Sequence, residues 1–441
     1  MPELTIAVVG SGIAGLSAAW LLAKRHRVAL YEADGRFGGH ANTVDVSGPD
    51  GRHPVDTGFI VYNTRNYPNL IGLFDALGVA TEPTEMSFAL SLDGGRYEYA
   101  GAGFNGFFGQ RRNLARPSHW QLLRDIARFF RTAEARVAAY PTSVSLGEFL
   151  EREGFGDAFV RNHIVPMGAA IWSTTMTEML AFPAQSFVRF YANHGMLQFR
   201  DRPAWRTVSG GSRTYVKKLL DDSPIERLPG TPAARIERRP GGVTVVDASG
   251  AARGFDHVVI AAHADQALAL LDRPSALEAD LLSRFSYQTN RAVLHRDRSW
   301  MPKRRRLWSS WNYLKSTAGD DTDLCVTYWM NRLQNLDAAD DYFVTLNPTS
   351  PIDPDLTERV IDYDHPVFNG PAMAAQAALP ELQGANRTWF CGSYFGYGFH
   401  EDGAASGIAV AERLGGLARP WTVEGAERVI AVAPPAAEAA Q

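Results

Sequence analysis

The sequence predicts an α/β protein: a Rossmann-like nucleotide-binding domain, built from separated stretches of chain, that carries an inserted α+β domain. Three observations predict it. A short apolar run, Thr5 to Val9, leads directly into Gly10, Gly12 and Gly15 at the spacing GxGxxG. Glycines or other small residues open helical stretches again far downstream, at Gly210 and Gly211 and at Gly403. Between these pieces the strand-helix alternation is lost, and long helical and aromatic segments replace it.

The first strand is apolar throughout, as a buried parallel strand is, and each glycine behind it has its own task. Gly10 permits the tight turn, Gly12 lets a pyrophosphate approach the backbone, and Gly15 lets the following helix pack on the strand. Ala14 belongs to the same phosphate-facing turn. A helix is expected from Ile13 to about Lys24, with Leu16, Ala19, Trp20 and Ala23 at helical spacing. Its N-terminal amides then face the phosphates. A second strand, Arg27 to Tyr31, ends at Glu32 and Ala33, where the carboxylate is placed to accept from ribose hydroxyls. This pattern predicts dinucleotide binding without separating NAD from FAD.

Arg36, Phe37, Gly38, Gly39 and His40 follow as a second glycine turn. The turn resembles the RxGGR element of FAD proteins in the flavin amine oxidase superfamily. The resemblance implies FAD as cofactor and a domain of the glutathione reductase/amine oxidase type. It also implies contact of Gly38, Gly39 and His40 with the phosphate side of the flavin nucleotide. His40 stands where the element has its last arginine, so a permanent charge becomes a titratable one.

The run from Asn42 to Asn63 reads as a hairpin that turns at Pro49, Asp50 and Gly51. It delivers Asp56, Thr57, Gly58, Phe59 and Ile60; the superfamily's DxG segment lies beside the isoalloxazine ring, and a plain strand end is the other reading. Ala233 opens a strand at the position where the superfamily offers backbone to adenine. At the C-terminal end, Trp389 to Cys391 reads as a last buried strand and Gly403 to Leu414 as a helix. There Gly392, Ser393, Asp402, Gly403 and Ala404 match the superfamily segment that meets the ribityl chain and the flavin carbonyl.

These pieces place the FAD-binding domain in residues 1–65, 207–272 and 381–417. The substrate domain then takes 66–206 and 273–380, and 418–441 forms an Ala/Pro/Glu-rich, frayed tail. Within the substrate domain a long helix is expected from Ser118 to about Tyr140, and strands near Arg291 to His295, Arg306 to Tyr313 and Asp323 to Trp329. Phe159, His163, Met167, Trp172, Phe190 and His194 are candidates for an apolar pocket or for plain core. A second GxGxxG, at Gly101, Gly103 and Gly106, is crowded by Phe104, Phe107 and Phe108 and followed by Pro117, so it reads as no nucleotide site.

At a formal charge of −4 the chain has no global basic field, and nucleic acid is not expected as a partner. Cys325 and Cys391 lie in apolar runs and read as buried thiols, which fits a reducing, cytoplasmic setting. No stretch is long and apolar enough to span a membrane, and the start does not read as a signal peptide. Two segments do combine cations with large apolar residues: Phe104 to Arg116, and Arg296 to Arg306 with Trp300, Met301 and Trp308. Each reads either as a solvated loop or as a peripheral contact with an anionic membrane.

The stretches VDTGFIVYN, AIWST, MPKRRRLWSSWNY and YFGYGFHEDG resemble a bacterial FAD-binding branch associated with cyclopropane fatty-acyl-phospholipid synthases and furan fatty acid synthesis. That resemblance implies desaturation of a methyl-branched or unsaturated acyl chain. Hydride transfer to flavin needs the C–H held over the ring and a second proton removed nearby. His400 is the candidate base, or else orients the flavin; Tyr397, Glu401 and Tyr62 are further catalytic candidates. Amine oxidation is a second reading, weakened because His400 stands where amine oxidases have an aromatic-cage tyrosine. Redox-neutral isomerisation and a non-catalytic flavin or lipid carrier complete the alternatives.

Overall fold

The computed structural model describes residues 2–101, 103–198, 202–316 and 325–423. Its first sheet has five parallel strands in the order Ile225–Leu228, Arg27–Tyr31, Thr5–Val9, His257–Ile260 and Thr388–Phe390. These short strands are apolar because both faces are covered. On one face the helix Ile13–Leu22 is buried along its whole length, which is why its sequence shows apolar residues all round. The long C-terminal helix, His400–Gly415, crosses it closely: a Cβ on Gly407 would overlap the Ala14 carbonyl. A three-stranded antiparallel meander, Ala233–Arg239, Gly242–Asp247 and Ala252–Phe255, covers another flank.

A seven-stranded sheet forms the second half, in the order Thr357–Val367, Ser286–His295, Phe343–Leu346, Val326–Trp329, Trp311–Lys315, Phe88–Leu92 and Tyr97–Ala100. Phe88–Leu92 pairs parallel with Trp311–Lys315, so stretches more than two hundred residues apart share one sheet. A helical layer from Pro117–Val137 to Ala184–Asn193 packs on it through Leu122, Ile126, Phe129, Phe187 and Phe190. Pro117 starts the first of these helices, where a missing N–H costs nothing. Capping boxes at Ser145 and Thr175 start two more.

Three local expectations change. Arg306 to Leu307 is a single 3-10 turn and the strand begins only at Trp311. The last strand of that group begins at Val326; Asp323 and Leu324 lie outside the described residues. The chain beyond 417 is not frayed at once: Arg419 pairs with Glu412 at 2.6 Å, and Trp421 stacks on Trp20 at 6.0 Å. Residues 424–441 lie outside the described residues. Among those described, no helix is long and apolar enough to cross a membrane.

Candidate functional site

The turn after Thr5–Val9 builds one wall of the site. Gly10 has φ +100°, and a Cβ there would lie 2.7 Å from the Ala261 carbonyl; a Cβ on Gly15 would overlap the Gly10 carbonyl. The chain's own packing therefore demands both. Gly12 differs. Its φ is −63°, and nothing lies within 4 Å of where a Cβ would be. The space it leaves opens on a cavity of about 1100 Å³.

Glu32, Ala33 and Ala233 line this cavity in the region of the meander, and Gly10, Gly12, Ala14, Gly39, His40, Thr57, Gly58, Phe59, Ile60, Gly392, Ser393 and Gly403 continue the wall. It then passes between the two halves into an apolar arm lined by Phe107, Ile126, Met167, Trp172, Phe190 and Met196. Glu32 accepts from the Ser11 amide at 3.0 Å, from the Ser11 hydroxyl and from the Asp34 amide at 2.8 Å, which fixes its carboxylate at the strand end. Gly58 is needed because a Cβ would overlap the His40 carbonyl.

Histidines gather on this wall. The His40 ring lies 5.4 Å from His365 and 6.5 Å from His263, and stacks on Tyr363 at 4.9 Å. Burial and the neighbouring imidazoles hold His40 well below its usual pKa, and burial brings His365 down to about 4. The tautomer of His365 is set by a relay. Asn347 Nδ2 donates to Asn290 Oδ1 at 2.6 Å, and Asn290 Nδ2 in turn donates to His365 Nδ1 at 3.0 Å. Neutral His365 therefore carries its proton on Nε2.

The arm holds a second histidine with a fixed tautomer. Tyr99 gives its proton to the Asn162 carbonyl at 2.7 Å and lies 2.9 Å from His163 Nδ1, so that nitrogen donates and Nε2 presents a lone pair. His163 Nε2 has no partner among the described residues, and burial brings the ring's pKa down to about 3. Arg202 is the one lysine or arginine among the lining residues. Its Nε donates to the Gln198 carbonyl at 2.9 Å, and no acidic side chain among the described residues pairs with it. Glu85, the acid of this region, is already paired with Arg332 at 2.5 Å.

Sequence comparison decides what this frame is. The family model described as "Flavin containing amine oxidoreductase" matches residues 13–415. The chain belongs to that family. It is a FAD-dependent oxidoreductase of the amine oxidase type. Solved structures of the same fold include a putrescine oxidase with putrescine bound, at 16% identity and TM-score 0.66, covering 94% of this chain and 99% of that one. The cyclohexylamine oxidase from Brevibacterium oxydans IH-35A gives 16% and 0.63, with 94% and 100% covered. A CLA-producing fatty acid isomerase from P. acnes gives 14% and 0.64, with 93% and 98% covered. No curated protein matches the sequence.

The residues present fit FAD. Gly12 keeps open a volume that neither backbone nor packing requires, in the turn where a pyrophosphate meets helix amides. Asp56 ties down the hairpin that leads into Thr57 and Gly58. Its buried carboxyl accepts from Thr43 Oγ1 at 2.6 Å, from the Ser212 amide at 2.9 Å and from Gln334 Nε2 at 3.0 Å, while burial pushes its pKa up to about 6.

Of the cofactor candidates, Gly15, Gly38, Asp402 and Ala404 stand behind the wall rather than on it. Gly38 donates its N–H to the Ser11 carbonyl at 3.1 Å, and Asp402 accepts from the Tyr397 and Phe399 amides at 3.0 and 2.9 Å. Of the catalytic candidates, His400 and Tyr397 line the cavity.

Glu401 and Tyr62 do not. Glu401 accepts from the Asn69 amide at 3.0 Å, from Asn69 Nδ2 at 2.8 Å and from the Leu70 amide at 2.9 Å; burial nonetheless raises its pKa to about 7. It caps the helix Pro68–Ala76. Tyr62 is 3% exposed and packs edge-on against Phe74 at 5.5 Å, inside the first core. The pocket candidates His163, Met167, Trp172, Phe190 and His194 reach the cavity, and Phe159 is plain core. Sequence reading missed Arg202, His263 and His365, which carry no local pattern.

Proposed function

We propose that the protein oxidises a fatty acyl chain, introducing a double bond into a methyl-branched or unsaturated lipid. The observation that carries the reading is one continuous cavity: the cofactor cradle opens into an aromatic, apolar arm whose single lysine or arginine among the described residues, Arg202, has no acidic partner among them. An acyl carboxylate matches that arm, whereas a cationic amine meets a guanidinium and an acid, Glu85, that is already engaged.

Desaturation takes a hydride and a proton from adjacent carbons, and bound FAD supplies the hydride acceptor. The chain's own residues align the substrate and keep water out. Phe190 and Phe399 stack 5.1 Å apart, with Trp172 at 4.6 Å from Phe190, and form a rigid wall beside the His400 helix start. His163 Nε2 presents an unengaged lone pair within the arm, where it can accept a hydrogen bond from a bound ligand.

Anaerobic mixing of the FAD-loaded protein with candidate substrates tests this reading. Acyl lipids are expected to bleach the flavin absorbance, and putrescine or cyclohexylamine to leave it unchanged. Bleaching by the amines alone overturns it. Redox-neutral isomerisation is a second reading, supported by the shared fold of the P. acnes fatty acid isomerase. It predicts a shifted double bond in the recovered lipid with no net bleaching.

A further inference from the structure

We infer that the segment around Phe104 is a docking surface for an anionic lipid bilayer. This inference stands on exposure and charge and does not need the acyl reading of the cavity. Phe104 is 61% exposed, Leu114 44% and Trp120 48%, and these are three of the five large apolar side chains left open among the described residues. They form one patch. The Phe104 and Phe108 rings are 4.9 Å apart, Phe108 and Trp120 are 5.0 Å apart, and Trp120 Nε1 donates to the Leu114 carbonyl at 3.0 Å.

Cations surround the patch. Arg111 lies 5.9 Å from the Phe104 ring, Arg112 is exposed beside it, and Arg116 donates to the Arg96 carbonyl at 3.0 Å. No acidic side chain among the described residues pairs with any of these three arginines, and the sequence from Gly101 to Arg124 contains no aspartate or glutamate. Scattered apolar residues on a surface need no explanation. Aromatic rings clustered among unpaired arginines, on a chain of net charge −4, match an interface of acyl chains beneath phosphate headgroups. A second copy of this chain docked on the same patch would face its own positive charge.

The other cationic run does not share this character. Trp300 and Trp308 are 8% exposed and Met301 2%. Arg304 pairs with buried Glu98 at 2.6 Å, and Arg298 and Arg305 both reach Asp341. Ion pairs hold four of the six cations of this run, Arg296, Arg298, Arg304 and Arg305, and membrane contact is assigned to the Phe104 patch alone. That patch also adjoins the cavity: on the one short helix Gly103–Phe107, Phe104 faces solvent while Phe107 lines the apolar arm.

Co-sedimentation of the FAD-loaded full chain with phosphatidylcholine vesicles, with and without phosphatidylglycerol, tests the surface. The protein is expected to prefer the anionic vesicles by about tenfold or more at low salt, and to lose that preference at high salt. F104S/W120S should weaken anionic binding by about tenfold, and R111E/R112E should abolish the preference. All four side chains are exposed, so an unchanged thermal midpoint and flavin spectrum certify the fold of each variant. Equal binding to both vesicle types, or variants that bind like the parent, overturns the proposal. So does a dimer in gel filtration that these substitutions dissociate without any vesicle binding.

Discussion

The imidazole of His400 lies flat against the ring of Phe59, with 3.8 Å between centroids and 13° between planes. Tyr215 bonds its Nε2 at 3.1 Å, and burial brings its pKa down to about 3. A neutral, stacked and hydrogen-bonded ring fixes Phe59 against the helix start; it is poorly poised to take a proton near pH 7.

His400→Phe keeps the stack and loses only the Tyr215 bond. We expect it to retain FAD and to reduce it at a rate within about tenfold of the parent, since the lost interaction is a single neutral hydrogen bond. Its pH profile should keep the parent's shape. Loss of a limb from the pH–rate curve of flavin reduction would restore His400 as the base.

Gly12→Ala and Gly15→Ala separate ligand space from protein packing. Gly15→Ala should destabilise the FAD-free protein by about 1–3 kcal/mol, because the new methyl must displace the Gly10 carbonyl. Gly12→Ala should leave the FAD-free thermal midpoint unchanged and weaken FAD binding by about tenfold or more, because the methyl enters only the cavity. Fluorescence titration with FAD, alongside thermal melting, checks both; a Gly12→Ala protein that binds FAD normally would remove the pyrophosphate from that turn.

Arg202→Gln should weaken binding of linoleate to the FAD-loaded protein by about tenfold to a hundredfold, the range of one charge-assisted contact. Binding of the methyl ester should not change, because it presents no charge to the guanidinium. Isothermal titration with both ligands decides; equal losses would mean that Arg202 shapes the arm without reading the carboxylate.

Acid should unfold the FAD-free protein early. His163 and His400 are held near 3 and His365 near 4 in the folded state, against about 6.5 when unfolded. The unfolded chain therefore takes up the extra protons, and stability present above pH ~6.5 is lost as the pH falls toward 4. Glu401 and Asp56 act with the opposite sign. Their folded values, about 7 and about 6, are raised, so their contribution is lost as the pH rises through that range. The three histidines outweigh the two acids, so circular dichroism melts should show a midpoint that rises from pH ~4 and levels off above pH ~7. A flat midpoint from pH 4 to 6.5 would contradict the buried neutral histidines.

The Rossmann-like frame was legible because its signals are local: strand, glycine turn, helix and Glu32 all fall within about thirty residues. The catalytic assignments were harder, and Glu401 shows why. The expected helix began at Gly403, whereas the structure starts it at His400. Each helical residue turns the side chain by about 100°, so Glu401 rotates off the His400 face toward Asn69. The partners of the run from Arg296 to Arg306 were illegible for a different reason: Glu98, Asp340, Asp341 and Glu358, the acids that pair with four of its six cations, come from distant segments. Arg202 is a lone residue in a loop, and no periodicity marks it.

The edge strand Thr388–Phe390 and the helix His400–Gly415, whose Gly403 and Gly407 press on Ile13 and Ala14, lie more than 370 residues after the glycine turn they complete. During synthesis the fingerprint emerges first, yet it waits for these distant elements before its cradle can close. A ribosome-bound nascent chain therefore exposes an open parallel sheet edge and an uncovered Ile13–Leu22 helix until those residues emerge. A chain truncated before Thr388 should therefore go to chaperones and proteases rather than persist as a smaller flavoprotein.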